Sequence, residues 1–113
     1  MHELSITSEI LDVVLSELAA EDYNKIIRID ITIGDFSGIV SENVNYYFRL
    51  LSRDTPAAGA ALTFTYKKSK FRCISCGRTY ERCNFSILCP VCNGRGTLVE
   101  SCTSIYISRI EVE

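Results

Sequence analysis

Ile26-Ile27-Arg28-Ile29-Asp30-Ile31-Thr32-Ile33 is the stretch that decides the fold. Ile27, Ile29, Ile31 and Ile33 alternate with Arg28, Asp30 and Thr32. A strict period of two in β-branched residues predicts a half-buried strand. Gly34 punctuates its end and Gly38 marks the following turn.

Working outward, residues 4 to about 20 read as an amphipathic helix, with Leu4, Ile10, Leu11, Val14, Leu15 and Leu18 on one stripe and Glu9, Asp12, Ser16 and Glu17 largely opposite. Ser41 is an expected N-cap, followed by Glu42 in the first turn. Val44, Tyr47, Phe48 and Leu51 then recur at helical spacing. Residues 52–59, with Pro56 and small alanines, read as a loop. Over 61–67, Leu62, Phe64 and Tyr66 alternate with Thr63, Thr65 and Lys67. Leu98-Val99 and Ile105 to Val112 supply further strand, with Tyr106, Ser108, Ile110 and Val112 expected on one face and Arg109 and Glu111 on the other. The order predicts an α+β fold: two helices on a three-stranded sheet, with an inserted zinc-ribbon module. The last strand is expected to return to the first sheet. That gives a discontinuous domain of residues 1–68 and 103–113 around a module of residues 69–102.

The chain has 113 residues, 47% of them hydrophobic, and a net charge of −2. This suits a small globular protein and gives no overall basic field toward nucleic acid or membrane. No apolar run is long enough to span a bilayer. No signal peptide is read either: Glu3 and Glu9 stand where a basic region is needed, and Ser5, Thr7 and Ser8 interrupt the apolar residues. Six cysteines without a secretory signal therefore point to metal binding in a reducing cytoplasm.

Cys73-Ile-Ser-Cys76-Gly77 and Cys89-Pro-Val-Cys92-Asn93-Gly94 are separated by twelve residues between Cys76 and Cys89. Two such knuckles place four thiolates at tetrahedral corners, the pattern of a structural Zn2+ site. Gly77 and Asn93-Gly94 supply residues tolerant of positive φ after each knuckle. A closed set of four sulfurs leaves no position for substrate water, which argues against catalytic zinc. Six of the twelve basic residues, Lys67, Lys68, Lys70, Arg72, Arg78 and Arg82, surround the first knuckle. They read either as compensation for a site of net charge −2 or as the footprint of a zinc-ribbon nucleic-acid-binding protein, with Phe71 and Tyr80 stacking on bases. Cys83 has the wrong spacing for a knuckle, and Cys102 has no evident role.

His2 is the only histidine. With the α-amine of Met1, its amide nitrogen and imidazole lie in adjacent chelate rings that can close around nickel or copper. Met1 is expected to stay, because methionine aminopeptidases require a small second residue. No nucleophile–base pair with an orienting group can be read, so no enzyme is expected.

Met1-His2-Glu3-Leu4-Ser5-Ile6, Ile33-Gly34-Asp35-Phe36-Ser37-Gly38, the double CxxC and Ile107-Ser108-Arg109-Ile110-Glu111-Val112-Glu113 together resemble the HypA/HybF family of nickel metallochaperones in [NiFe]-hydrogenase maturation. The resemblance spans essentially the whole chain in order. It implies a cytoplasmic protein that carries Ni2+ as cargo to a hydrogenase large-subunit precursor, works with the GTPase HypB and in some organisms serves urease. It implies a nickel site at Met1, His2 and Glu3 and a zinc site at Cys73, Cys76, Cys89 and Cys92. It leaves the choice between monomer and homodimer open. Asp35 stands where the family often has glutamate. Cys83 and Cys102 depart from its usual pattern.

Overall fold

The structure is a computed structural model and describes residues 2–82 and 86–113. Met1 and Cys83, both singled out above, lie outside the described residues. The elements run α1 (Glu3–Glu17), β1 (Ile26–Gly34), α2 (Ser41–Leu51), β2 (Ala61–Lys67), β3 (Lys70–Cys73), β4 (Thr79–Glu81), β5 (Gly96–Glu100) and β6 (Ile105–Val112). One sheet has the order β2-β1-β6 and the other β4-β3-β5. β1 is the central strand of the first sheet, parallel to β2 and antiparallel to β6. The chain therefore leaves this sheet at β2, builds the second one, and comes back to complete the first.

Ile29, Ile31 and Ile33 are fully buried beneath the helices, packing with Ile10, Leu11, Val14, Val44 and Phe48. On the opposite face Arg28 pairs with Asp30 at 3.1 Å and Glu111 at 3.6 Å. This is the one-sided burial that strict alternation produces.

Two β-bulges change phases that simple alternation predicts. A register shift between Ile26 and Arg28 puts Ile26, not Ile27, in the core. A second shift lies opposite Ser108 on β6, between Ile107 and Arg109. Ile105 and Ile107 therefore pack inward before the shift and Ile110 after it, while Tyr106 is left exposed. A bulge adds one residue to one strand and so flips the faces beyond it.

α1 also differs at its start. Leu4 is half exposed, and the buried stripe is Glu3, Thr7, Ile10, Leu11 and Val14. The apolar pattern from Ile10 and Val14 extrapolates back to positions 7 and 3 at helical spacing, and the residues there are polar. The N-cap of α2 is Val40 rather than Ser41, and it has no side-chain cap of its own.

Candidate metal centres

β3 and the turn after it present the first knuckle; the segment before β5 presents the second. The two repeat the same backbone pattern. Cys73 N–H donates to Arg78 O at 2.8 Å and Cys89 N–H to Gly94 O at 2.9 Å. Gly77 N–H returns to Cys73 O at 3.0 Å and Asn93 N–H to Cys89 O at 2.8 Å. Closing each turn requires positive φ, found at Gly77 (76°) and Asn93 (62°).

This brings the sulfurs of Cys73, Cys76, Cys89 and Cys92 within 4.8 Å of one another. Cys73 and Cys92 are 3.4 Å apart, and Cys76 and Cys89 are 3.7 Å apart. Thiolates about 2.3 Å from a tetrahedral metal ion stand roughly 3.8 Å from each other, so the cluster fits one ion. The Cys76 N–H, 3.4 Å from Cys73 Sγ, is the main influence that pulls the Cys73 thiol down to about 6. The Cys92 N–H is the main influence lowering Cys89. Cys92 is pushed up to about 12, chiefly because its S–H is held by Cys73. At Cys73 and Cys89 the shifts thus run toward the thiolate form that a metal requires.

Phe71 and Tyr80 form the small core beside the cysteines, stacked with centroids 5.9 Å apart. The Tyr80 hydroxyl donates to Ile87 O, and burial, followed by the nearby thiolates, raises its pKa above the usual phenol value. Both rings are more than nine-tenths buried, which removes them as stacking platforms for bases. Part of the basic cluster is likewise engaged within the chain. Arg82 Nε lies 3.6 Å from Asp35 Oδ2 with its guanidinium over the Phe36 ring, and Lys70 Nζ is 3.9 Å from Glu100.

Asp35 joins the two sheets. Its Oδ1 accepts from Ser69 N–H at 3.1 Å and Ser69 Oγ–H at 2.6 Å. Ser69 Oγ in turn accepts from Cys102 N–H at 2.9 Å, and Phe36 N–H donates to Cys102 O at 2.9 Å. Gly34 is needed because a Cβ there would overlap Cys102 O. Cys102 is buried at this joint, apart from the four clustered sulfurs.

At the other candidate centre, His2 is exposed and occupies the N-cap of α1. Its carbonyl accepts from Ile6 N–H at 3.0 Å and Ser5 Oγ–H at 3.1 Å. Glu3, beside it, is only 3% exposed. Its Oε2 accepts from Val40 N–H at 3.1 Å, and Thr7 Oγ1–H donates to Glu3 O. His2 and Glu3 are thus adjacent in sequence but point apart, the carboxylate inward. Val40 is the residue missed in the sequence. Only the polar pair Glu3 and Thr7 on the buried stripe signalled that something there required an acceptor.

Among the described residues no helix is long and apolar enough to cross a membrane. Residues 1–112 match the family described as "HypA: Hydrogenase/urease nickel incorporation, metallochaperone, hypA". The chain is 40% identical to a hydrogenase maturation factor HypA of Caldanaerobacter subterraneus subsp. tengcongensis, with both chains fully covered. It is 26% identical to the hydrogenase maturation factor HybF of Escherichia coli O6:H1, also over the full length of both. The solution structure of the Ni metallochaperone HypA from Helicobacter pylori shares the fold, with a TM-score of 0.63 at 17% identity over 99% of this chain and 97% of that one. The match over nearly every residue places this chain in the HypA family, whose members are metallochaperones of hydrogenase maturation and not enzymes.

Proposed function

We propose that the chain binds Ni2+ as cargo through the α-amine of Met1 and the amide and imidazole of His2, with Glu3 completing the segment, and delivers it to the [NiFe]-hydrogenase large-subunit precursor. The observation that carries this reading is the exposed His2 at the tip of a helix whose next residue is locked into the protein. The Glu3 carboxylate holds the Val40 N–H, so Glu3 also keeps the terminus in place. Amide nitrogens bind nickel only when deprotonated, and an α-amine titrates at about 7.7–8.0, so loading releases protons and weakens as pH falls. Few ligands on a chain end suit a carrier that must let its metal go.

The four cysteines hold Zn2+ in this reading. That metal is tetrahedral, thiolate-bound and closed to substrate, and it supplies folding energy to the module of residues 69–102. The nickel-binding unit is residues 1–68 and 103–113; the separate three-stranded sheets support that division. The chain works in the cytoplasm with the GTPase HypB, and hydrogenase rather than urease is the recipient, as its named relatives suggest.

Isothermal calorimetry of untagged protein with Ni2+ tests the cargo site. His2→Ala, or residues added ahead of Met1, is expected to abolish tight binding; unchanged affinity in either would refute the site.

A further inference from the structure

β6 is an edge strand, and α1 lies along its margin. Between them runs an open groove of about 630 Å³. Its apolar wall includes Ile6, Val13, Ile105, Ile107 and Ile110. The three β6 isoleucines are only partly buried although they pack against the core, and Val13 is 47% exposed. The cause is the strand count. Three strands do not extend far enough beneath α1 to close the core on this side, so the last inward row meets solvent. Among the described residues the rim is acidic: Glu9, Glu17 and Glu21 line the helix side, against Arg109 on the strand. The groove starts one turn from the cargo segment, since Ile6 N–H bonds the carbonyl of His2.

We propose that this groove is a docking site for an extended segment of a partner protein that carries both apolar and basic side chains on one face, at every second residue, and adds as a fourth strand on β6. Backbone groups on the edge supply the ladder; the side chains facing α1, every second one, include apolar groups that cover Ile105, Ile107 and Ile110 and basic groups that reach the glutamates. A second copy of this chain suits the groove poorly. Antiparallel pairing of two β6 edges about a two-fold axis would set both α1 helices on one face of the joined sheet, with their acidic rims confronting each other across the seam. The bulge near Ser108 interrupts the edge, which restrains indiscriminate pairing and asks for a segment fitted to that break.

The probe is a capped nine-residue peptide with valine and lysine in turn at its odd positions and threonine at its even ones, titrated into the nickel-free full chain and followed by backbone amide NMR. The expected result is saturable shifts confined to β6 and the facing side of α1. Affinity is expected to fall at least tenfold in the doubly substituted Glu9→Lys/Glu17→Lys chain, and also in Val13→Asp, both judged folded by unchanged spectra elsewhere. Absence of shifts at millimolar peptide, or an equal response to the same peptide with glutamate in place of lysine, overturns the proposal. So does sedimentation showing a dimer that already buries the same amides. None of these readouts involves nickel, so failure here and failure of the cargo site are separable.

Discussion

The carboxylate of Glu3 accepts the backbone N–H of Val40 at 3.1 Å, so the first residue of α1 closes off the start of α2. In a capping box a glutamate does this three residues into its own helix; here it comes from a different helix. Val40 offers no side-chain cap, and the neighbouring Ser41 N–H donates to the Tyr66 hydroxyl at 3.3 Å. The carboxylate also sits favourably at the positive end of the α2 dipole. The residue next to His2 is therefore part of the core.

Glu3→Ala leaves the Val40 N–H without its acceptor and is expected to cost about 1–3 kcal/mol, with a smaller loss for Glu3→Gln, which keeps a carbonyl oxygen. Urea unfolding measures this. Nickel affinity should fall in Glu3→Ala more than in Glu3→Gln; equal nickel affinity in both variants would show that anchoring does not matter to the cargo.

Asp35→Ala removes the acceptor of two Ser69 hydrogen bonds and the partner of Arg82. The two sheets should then lose their fixed relation while each remains folded. Residual dipolar couplings check this: one alignment tensor should fit both sheets in the native chain and two should be needed in the variant.

Gly34→Ala should destabilise by about 1–3 kcal/mol or more, because the new Cβ meets backbone at Cys102 O, which cannot swing away. A thermal midpoint unchanged from the native chain would contradict the close approach.

Thiol acidity makes zinc loading pH-dependent. Cys73 sits at about 6, below the ordinary thiol value of about 8.5. A lowered value favours thiolate in the fold. Its contribution to stability is thus full above the unfolded value and is lost as pH falls from there through about 6. Metal-free chain titrated with Zn2+ at pH 7 should release fewer than four protons per ion, and the number should rise toward four as pH drops below 6, with weakening affinity. A constant release of four would refute the lowered thiols.

Cys76→Ser removes one of the four sulfurs and is expected to lose tightly bound zinc and the stability of the β4-β3-β5 sheet, read by metal analysis and by amide exchange at Phe71. Native metal content in that variant would exclude the structural role.

Much of this was legible in the residues. The isoleucine alternation located the central strand because one side of β1 is packed and the other is not. The CxxC spacing located the cluster because two intervening residues leave a knuckle little other geometry. Periodicity misassigned Tyr106 and Ile27 because a bulge shifts phase without leaving a mark in side-chain type. The short strands β3 and β4 went unread: each presents a single buried aromatic, Phe71 or Tyr80, too little for a period. Leu4 was assigned to the core on hydrophobicity, whereas the inner positions belong to Glu3 and Thr7, and only the partner Val40, distant in sequence, explains why.

The return of the chain to the first sheet has a consequence for biosynthesis. About 70 residues separate the end of β1 from the start of β6, so at roughly 5–20 residues per second a ribosome leaves the central strand with one bare edge for about 4–14 s. Until β6 emerges, that edge is a template for aggregation. Zinc capture by the intervening cysteines would shorten the wait in space if not in time, because folding the insertion draws its two ends together and lowers the entropy cost of closing the loop. Cells starved of zinc should therefore accumulate this protein in insoluble form, even with nickel plentiful.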